Sequence, residues 1–271
     1  MGRYNGIVLC CDIDCTFIDD KMQIPKANLD ALSYFRSEGG KFTVCSGRTL
    51  QGAKYYLDRL KTDVPMICQN GSAIYDLETE KFLWLDPLSE SIKELITFVE
   101  ERFPDMGIEI MTPRRIYYYR ESYGTYLHQK NEELTVIKED FRKIPFPWAK
   151  VVFADRPENI DVLQTFLEKT EFYTQFKLIR SHTIFYEVVN KTTNKGVALE
   201  KLRRLLNLDY KNIFVAGDNE NDIDMLCSPA FSFAPSNAAS SAKSASNIVL
   251  ESDNNKGILP EMLKYIDNRL Q

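Results

Sequence analysis

Residues 8 to 20 read VLCCDIDCTFIDD. The apolar run Val8 to Cys11 breaks off at two carboxylates, Asp12 and Asp14, separated only by Ile13. A short continuous apolar run without polar alternation suits a strand buried on both faces of a parallel sheet. Taken alone, D-x-D after a strand is better explained as turn or cap residues. Its meaning therefore depends on what else collects at that end of the sheet.

The same texture continues outward. Helical spacing from Ala27 to Ser37, closed by Gly39 and Gly40, is followed by a second apolar run, Phe42 to Cys45, which makes β-α-β. Leu50 to Leu60 predicts another helix and Pro65 to Cys68 a third strand. The following QNGSAIYD carries Asn70-Gly71, a hairpin turn signal. From Leu83 the pattern changes. Ile92, Leu95, Ile96, Val99 and Phe103 fall at helical spacing, but Gly107 to Arg120 and Gln175 to Asn190 read as two-strand ladders rich in aromatic and β-branched residues. After Asn190 the alternation resumes: a helix from Gly196 to Leu206, the strand NIFVAGD, a short helix at Ile223 to Leu226, the strand FSFA, a small-residue helix, NIVL and a closing helix. The expected fold class is α/β, a doubly wound, Rossmann-like parallel sheet in two sequence pieces, 1–82 and 190–271. An inserted α+β unit, 83–189, lies between them.

Composition narrows the function. The chain has 271 residues and a formal charge of -5, enough length for a substantial core but no overall attraction for nucleic acid or an anionic membrane. No secretory leader pattern and no apolar run of the ~20 residues that span a bilayer is present, so a cytoplasmic protein is expected. Cys10, Cys11, Cys45 and Cys68 lie in or beside apolar runs, as reduced thiols do. No cysteine pair has zinc-knuckle spacing, and His128 and His182, the only histidines, are remote from all of them. No G-x-G-x-x-G follows the first strand and no P-loop lysine motif occurs, which disfavours nucleotide-cofactor chemistry. Neither histidine falls in the expected core crevice, so no Ser-His-Asp hydrolase is readable, and both are expected to be surface or packing residues.

Four polar motifs stand at the ends or openings of core elements: Asp12 and Asp14, Ser46, Lys195, and Asp218 with Asp222. In an open parallel sheet, ligands bind beyond the carboxyl ends of the strands, so these residues are expected to share one crevice. Gathered carboxylates repel unless a cation holds them. Mg²⁺, hard and oxygen-seeking, is the expected holder, with Lys195 as a second positive charge. The set suits phosphoryl transfer, in which positioning and charge neutralisation dominate and a carboxylate can be the nucleophile.

DIDCT, CSGR (residues 45–48), NKG with Lys195, and GDNEND (residues 217–222) resemble the four ordered motifs of the haloacid dehalogenase superfamily. The insertion matches the large α/β cap of its Cof-type phosphatases. The resemblance implies a Mg²⁺-dependent hydrolase of small phosphate monoesters, with sugar phosphates favoured, a core that fixes the chemistry and a cap that selects the substrate. It implies Asp12 as nucleophile and Asp14 as general acid and base. Mg²⁺ would be held by the Asp12 carboxylate, the Asp14 carbonyl and Asp218, with Asp222 behind them. Ser46, Gly47, Arg48, Lys195 and Asn221 would serve the phosphoryl group, and Thr16 would order the loop. Cys15 departs from the pattern, standing where such proteins usually carry Gly, at a position where Gly tolerates backbone conformations that other residues resist. It also sets a thiol near the nucleophile, reactive only if its pKa is lowered.

Rival readings keep the same residues. A phosphomutase or phosphotransferase would pass the phosphoryl group to another hydroxyl, and a phosphate-sensing or scaffold protein would bind without turnover, leaving Asp14 without an acid-base task. Asp218 to Asp222 lacks the glycine and glutamate spacing of an EF-hand. In the insertion, RRIYYYR (residues 114–120) is expected to pack its alternate side chains against helices, not to form a nucleic-acid platform. Glu187 and Tyr186 are expected either to face the cleft and touch substrate hydroxyls or to be packing residues.

Overall fold

The computed structural model describes Gly2 through Leu270. These residues form two compact units. One comprises the chain up to Gly47, Tyr55–Trp84 and everything from Asn194 onward; the other comprises Arg48–Lys54 and Leu85–Thr193.

The first unit is built on a five-stranded, all-parallel sheet whose members are Val8–Cys11, Lys41–Val44, Ile213–Ala216, Phe231–Ala234 and Ile248–Val249. Val8–Cys11 lies between Lys41–Val44 on one side and Ile213–Ala216 on the other. The winding reverses beside this strand, so the sheet is doubly wound, with its switch point between the first strand and Ile213–Ala216. Burial on both faces explains the unbroken apolar runs. Cys10, Val215 and Ala234 face one way, into a cluster with Ala198, Leu199 and Leu202 of the helix Lys195–Leu205 and Met225 of Ile223–Leu226. Phe42, Phe214 and Phe233 are also buried; Phe42 packs on Phe17, and Phe233 on Phe214 and on Tyr265 of the closing helix Leu259–Arg269. Each large apolar side chain so buried contributes about 2 kcal/mol.

The expected third strand forms, but its role differs from a further full member of that sheet. Met66–Cys68 touches the parallel sheet through one bridge, Cys45 with Ile67, and then doubles back in an antiparallel hairpin with Ala73–Asp76, to which Lys81–Leu85 adds a third strand. The reversal is abrupt because Gln69, Asn70 and Gly71 are consecutively left-handed, with φ of 53°, 57° and 95°. Only glycine fits the last of these, since a Cβ on Gly71 would lie 2.4 Å from the carbonyl oxygen of Asn194.

The second unit contains a six-stranded, mainly antiparallel sheet in the spatial order Phe176–His182, Phe185–Asn190, Lys150–Ala154, Gly107–Met111, Ile116–Arg120, Val136–Lys138. On one face Ile108, Ile110, Val151, Phe153, Tyr186 and Val188 meet Ile92, Leu95, Ile96 and Val99 of the helix Ile92–Arg102, and Ile160 and Leu163 of Pro157–Leu167. Tyr186 thus belongs to the apolar layer. The RRIYYYR strand alternates as expected: Tyr117 joins that layer, while Tyr118 lies on the other face and donates to the carbonyl of Thr125 in the helix Tyr123–Glu132. The same face carries three charges in otherwise apolar strands. Glu109 and Glu187 flank Val152 in register, and Lys150 lies two residues before Val152 on the same strand.

Candidate active site

At the switch point the main chain ties the first and fourth motifs together, with the Asp12 amide donating to the Ala216 carbonyl at 2.9 Å. Lys195 is the first residue of its helix, whose cap is the Asn194 side chain accepting from the Val197 amide at 2.7 Å. The lysine side chain is wholly buried. Its ammonium donates to Asp12 Oδ1 at 2.9 Å and to Asp222 Oδ1 at 2.7 Å. The other oxygen of Asp222 accepts the amides of Asp218 and Asn219 at 3.0 and 3.1 Å. Asp222 therefore shapes the loop and orients Lys195. Thr16, also buried, donates to Asp218 Oδ1 at 2.7 Å, which joins the first loop to the fourth.

Carboxylate oxygens of Asp12, Asp218 and Asp222 lie within 4.8 Å of one another. Burial is the largest influence on the Asp12 carboxyl and raises its pKa well above the usual range. Lys195 opposes this, while Asp222, Asp218 and Asp14 add to the rise. Asp218 is pushed up to about 7, by burial first and then by Asp222. Lys195 responds in the opposite sense: burial alone would discharge it, but Asp12 and Asp222 hold it firmly protonated. One ammonium among this many carboxylates leaves the cluster short of positive charge. The oxygen-only donor set and that deficit fit a hard divalent cation. Asp12 and Asp218 are the side chains that could hold it, because Asp222 is already engaged through both oxygens.

The first loop takes the shape that the Gly-to-Cys departure put in question. Cys15 is left-handed, with φ of 52° and ψ of 7°, next to an extended Asp14. The residue has kept the glycine-like conformation. Its thiol is pushed up to about 11, by burial first and then by Asp218 and Asp14, so it is not activated.

Ser46 is fully buried; its amide donates to Ile67 and its carbonyl accepts from Asn70. Asn70 also accepts from the Asn221 side chain at 3.0 Å and lies against Gly47. The structure thus brings Asp12, Thr16, Lys195, Asp218 and Asp222 into one bonded cluster and links Ser46, Gly47 and Asn221 through Asn70. Sequence reasoning saw Asn70 only as a turn residue. The QNG stretch stands at the end of an apolar strand, as the other motifs do, and that was the available signal.

Arg48 and Glu187 lie in the second unit. Arg48 is bonded to the Gly52 carbonyl and paired with Glu132 at 3.1 Å. Glu187 is buried, accepting from Lys150 at 2.9 Å and from Ser181 at 2.8 Å. His128 corrects an expectation. It is no plain surface or packing histidine but a buried ion-pair partner, with Nδ1 2.7 Å from Glu109 Oε2. A charged residue in an apolar strand, Glu109, was the missed signal. His182 is exposed.

A family model described as haloacid dehalogenase-like hydrolase matches residues 9–262, and the chain belongs to that family. Among curated proteins, Bacillus subtilis YxeH, whose name carries a provisional phosphatase assignment, is 26% identical over 93% of this chain and 95% of its own length. The pyridoxal phosphate phosphatase YbhA of Escherichia coli is 23% identical over 90% of this chain and 92% of its own. The fold is shared with a haloacid dehalogenase-like hydrolase from Bacteroides thetaiotaomicron, at a TM-score of 0.84 with 18% identity, covering 96% of this chain and 99% of that one. No helix among the described residues is long and apolar enough to cross a membrane.

Proposed function

We propose that this protein is a Mg²⁺-dependent phosphatase of small phosphate monoesters, with sugar phosphates as its substrate class, acting through an aspartyl phosphate on Asp12. The observation that carries the reading is the buried Lys195 ammonium bridging Asp12 and Asp222 beside Asp218 at the switch point of the sheet. A carboxylate in this position is oriented by its partner, and a fixed cation stands where an anionic phosphoryl group would arrive.

Asp12 attacks phosphorus, forming a carboxyl-phosphate bond as the ester P–O bond breaks, and Asp14 gives a proton to the leaving oxygen. Water then attacks the same phosphorus, Asp14 takes its proton, and inorganic phosphate leaves with the Asp12 carboxylate restored. Bound Mg²⁺, held by Asp12, Asp218 and the Asp14 carbonyl, would supply charge neutralisation at the phosphoryl oxygens. Ser46, Gly47, Arg48, Lys195 and Asn221 serve the phosphoryl group, and Thr16 holds Asp218 in place. The second unit selects the leaving group, with Glu187 acting as the anionic end of its pair with Lys150. The names of curated relatives support small esters. Besides YbhA, a Bacillus subtilis protein named 5-amino-6-(5-phospho-D-ribitylamino)uracil phosphatase is 24% identical over 92% of this chain. A cytoplasmic location, without nucleic-acid or membrane partners, accords with such substrates.

The test is phosphate release from hexose, pentose and triose phosphates, pyridoxal phosphate and nucleotides, with Mg²⁺ or with EDTA, and with a free sugar as acceptor. Metal-dependent release of inorganic phosphate is expected. Transfer to the sugar in place of release would establish the phosphotransferase instead.

A further inference from the structure

The turn Gln69–Gly71, which closes the strand Met66–Cys68, is buried throughout and lies wholly within the first unit. It packs against three polar motifs of that unit. The Asn70 amide donates to the Ser46 carbonyl at 3.1 Å. A Cβ on Gly71 would lie 2.4 Å from the Asn194 carbonyl oxygen and 3.0 Å from the Lys195 amide nitrogen. The Asn70 side chain reaches further: its Oδ1 accepts from Asn221 Nδ2 at 3.0 Å, and the same oxygen would lie 2.8 Å from a Cβ on Gly47. The turn therefore meets the CSGR, NKG and GDNEND segments together, and none of the steps at phosphorus involves it.

Asn70 determines how Asn221 is presented. The oxygen and nitrogen of a side-chain amide are nearly isosteric, so an asparagine turns one or the other toward a neighbour according to what that neighbour offers. Asn70 offers an oxygen. It holds the Asn221 amide in one orientation, nitrogen toward Asn70, with one N–H in that bond and the second left for a ligand on the same side. Asn70 is itself fixed, being 3% exposed, bonded to Ser46 through its main chain, and left-handed, a conformation asparagine tolerates better than most residues. Gly47 is fitted to it. The three atoms nearest to a Cβ at that position all belong to the Asn70 side chain, so a larger residue there would push the amide aside.

We infer that Asn70 is a positioning residue for the phosphoryl site: by holding Gly47 and the Asn221 nitrogen against one oxygen, it sets how tightly the enzyme grips the anionic group of its substrate. This rests on the phosphate-ester reading and adds a residue to it. A donor already held in place has less freedom to lose when the anion binds.

Two variants reach the same oxygen by different routes. Asn70→Gly removes it while keeping a residue that adopts the left-handed turn without strain. Gly47→Ala leaves Asn70 and its turn in the sequence but displaces the amide, so it carries the test even where Asn70→Gly lowers stability. Each is expected to raise KM about tenfold while kcat stays within about threefold, the signature of lost uniform binding. In an Asn221→Ala background, Asn70→Gly should add no more than about threefold, and in an Asn70→Gly background Gly47→Ala should add less than about twofold. An unchanged KM, a full tenfold rise on top of Asn221→Ala, or a fall in kcat at constant KM, as from a smaller folded fraction, overturns the inference. Calorimetric titration with orthovanadate in Mg²⁺ separates it from the parent reading. If no ester is hydrolysed but Asn70→Gly binds vanadate about tenfold more weakly than the wild type, the phosphatase reading falls and the positioning role stands. Hydrolysis with vanadate binding unchanged in Asn70→Gly removes the positioning role alone. A wild-type protein that neither hydrolyses an ester nor binds vanadate removes both.

Discussion

Lys195 and Asp222 meet at 2.7 Å with neither side chain exposed to solvent. An ion pair so deep is marginal as a whole, because desolvation offsets much of its attraction, but removing one partner leaves an uncompensated buried charge. Lys195→Met keeps the aliphatic stem and deletes the ammonium that Asp12 and Asp222 share. A loss of about 3 kcal/mol or more is expected, read from the urea midpoint in EDTA. A change below about 1 kcal/mol would place this pair with the weak surface type.

His128 gives a stability term with a definite sign. Its pKa in the folded protein is raised from 6.5 to about 10, with Glu109 and Glu132 overcoming burial. Between those values the folded state binds more protons than the unfolded one. Stability from this group is therefore full below pH 6.5, declines as pH rises, and is gone above about 10. Urea midpoints from pH 6 to 10.5 should fall for the wild type, and this component should be missing in His128→Gln. Matching profiles would show that the histidine is neutral in the fold.

Cys15 carries a left-handed backbone at φ of 52°, a conformation that costs a non-glycine residue roughly 1–2 kcal/mol. Cys15→Gly should retain phosphatase activity and gain up to about 1 kcal/mol, after the added entropy of a glycine in the unfolded chain is subtracted. Because its thiol is pushed up to about 11, alkylation by iodoacetamide at neutral pH should be slow and should accelerate only in strongly alkaline buffer. Rapid alkylation at pH 7 would contradict the electrostatics described for this loop.

The sheet was readable because its strands are buried on both faces and so appear as unbroken apolar runs. Asp12, Ser46 and Asp218 were readable because polar residues break those runs at the end where ligands collect. Long-range packing was less accessible. Asn70 was visible as a turn residue, yet its bonds to Ser46 and Asn221 join segments far apart in the chain. The charge chain Arg48–Glu132–His128–Glu109 depends on the register between a strand and a helix, which local periodicity does not set. One trace of it was present: Glu109, Lys150 and Glu187 are single charges in three apolar strands that prove to be neighbours in one sheet. Tyr186, weighed together with Glu187 as a possible cleft residue, points the other way because adjacent residues of a strand face opposite sides.

The most direct test of the account is Mg²⁺-supported phosphate release by Asp12→Asn beside the wild type, on the best ester of the panel. Asp12 is both nucleophile and cation holder in this reading, and its neutral isostere relieves crowding among the carboxylates. The variant should therefore unfold no earlier than the wild type in EDTA, while its kcat falls by at least about a thousandfold. Release within about tenfold of wild type by a correctly folded Asp12→Asn protein would remove the aspartyl phosphate from the mechanism.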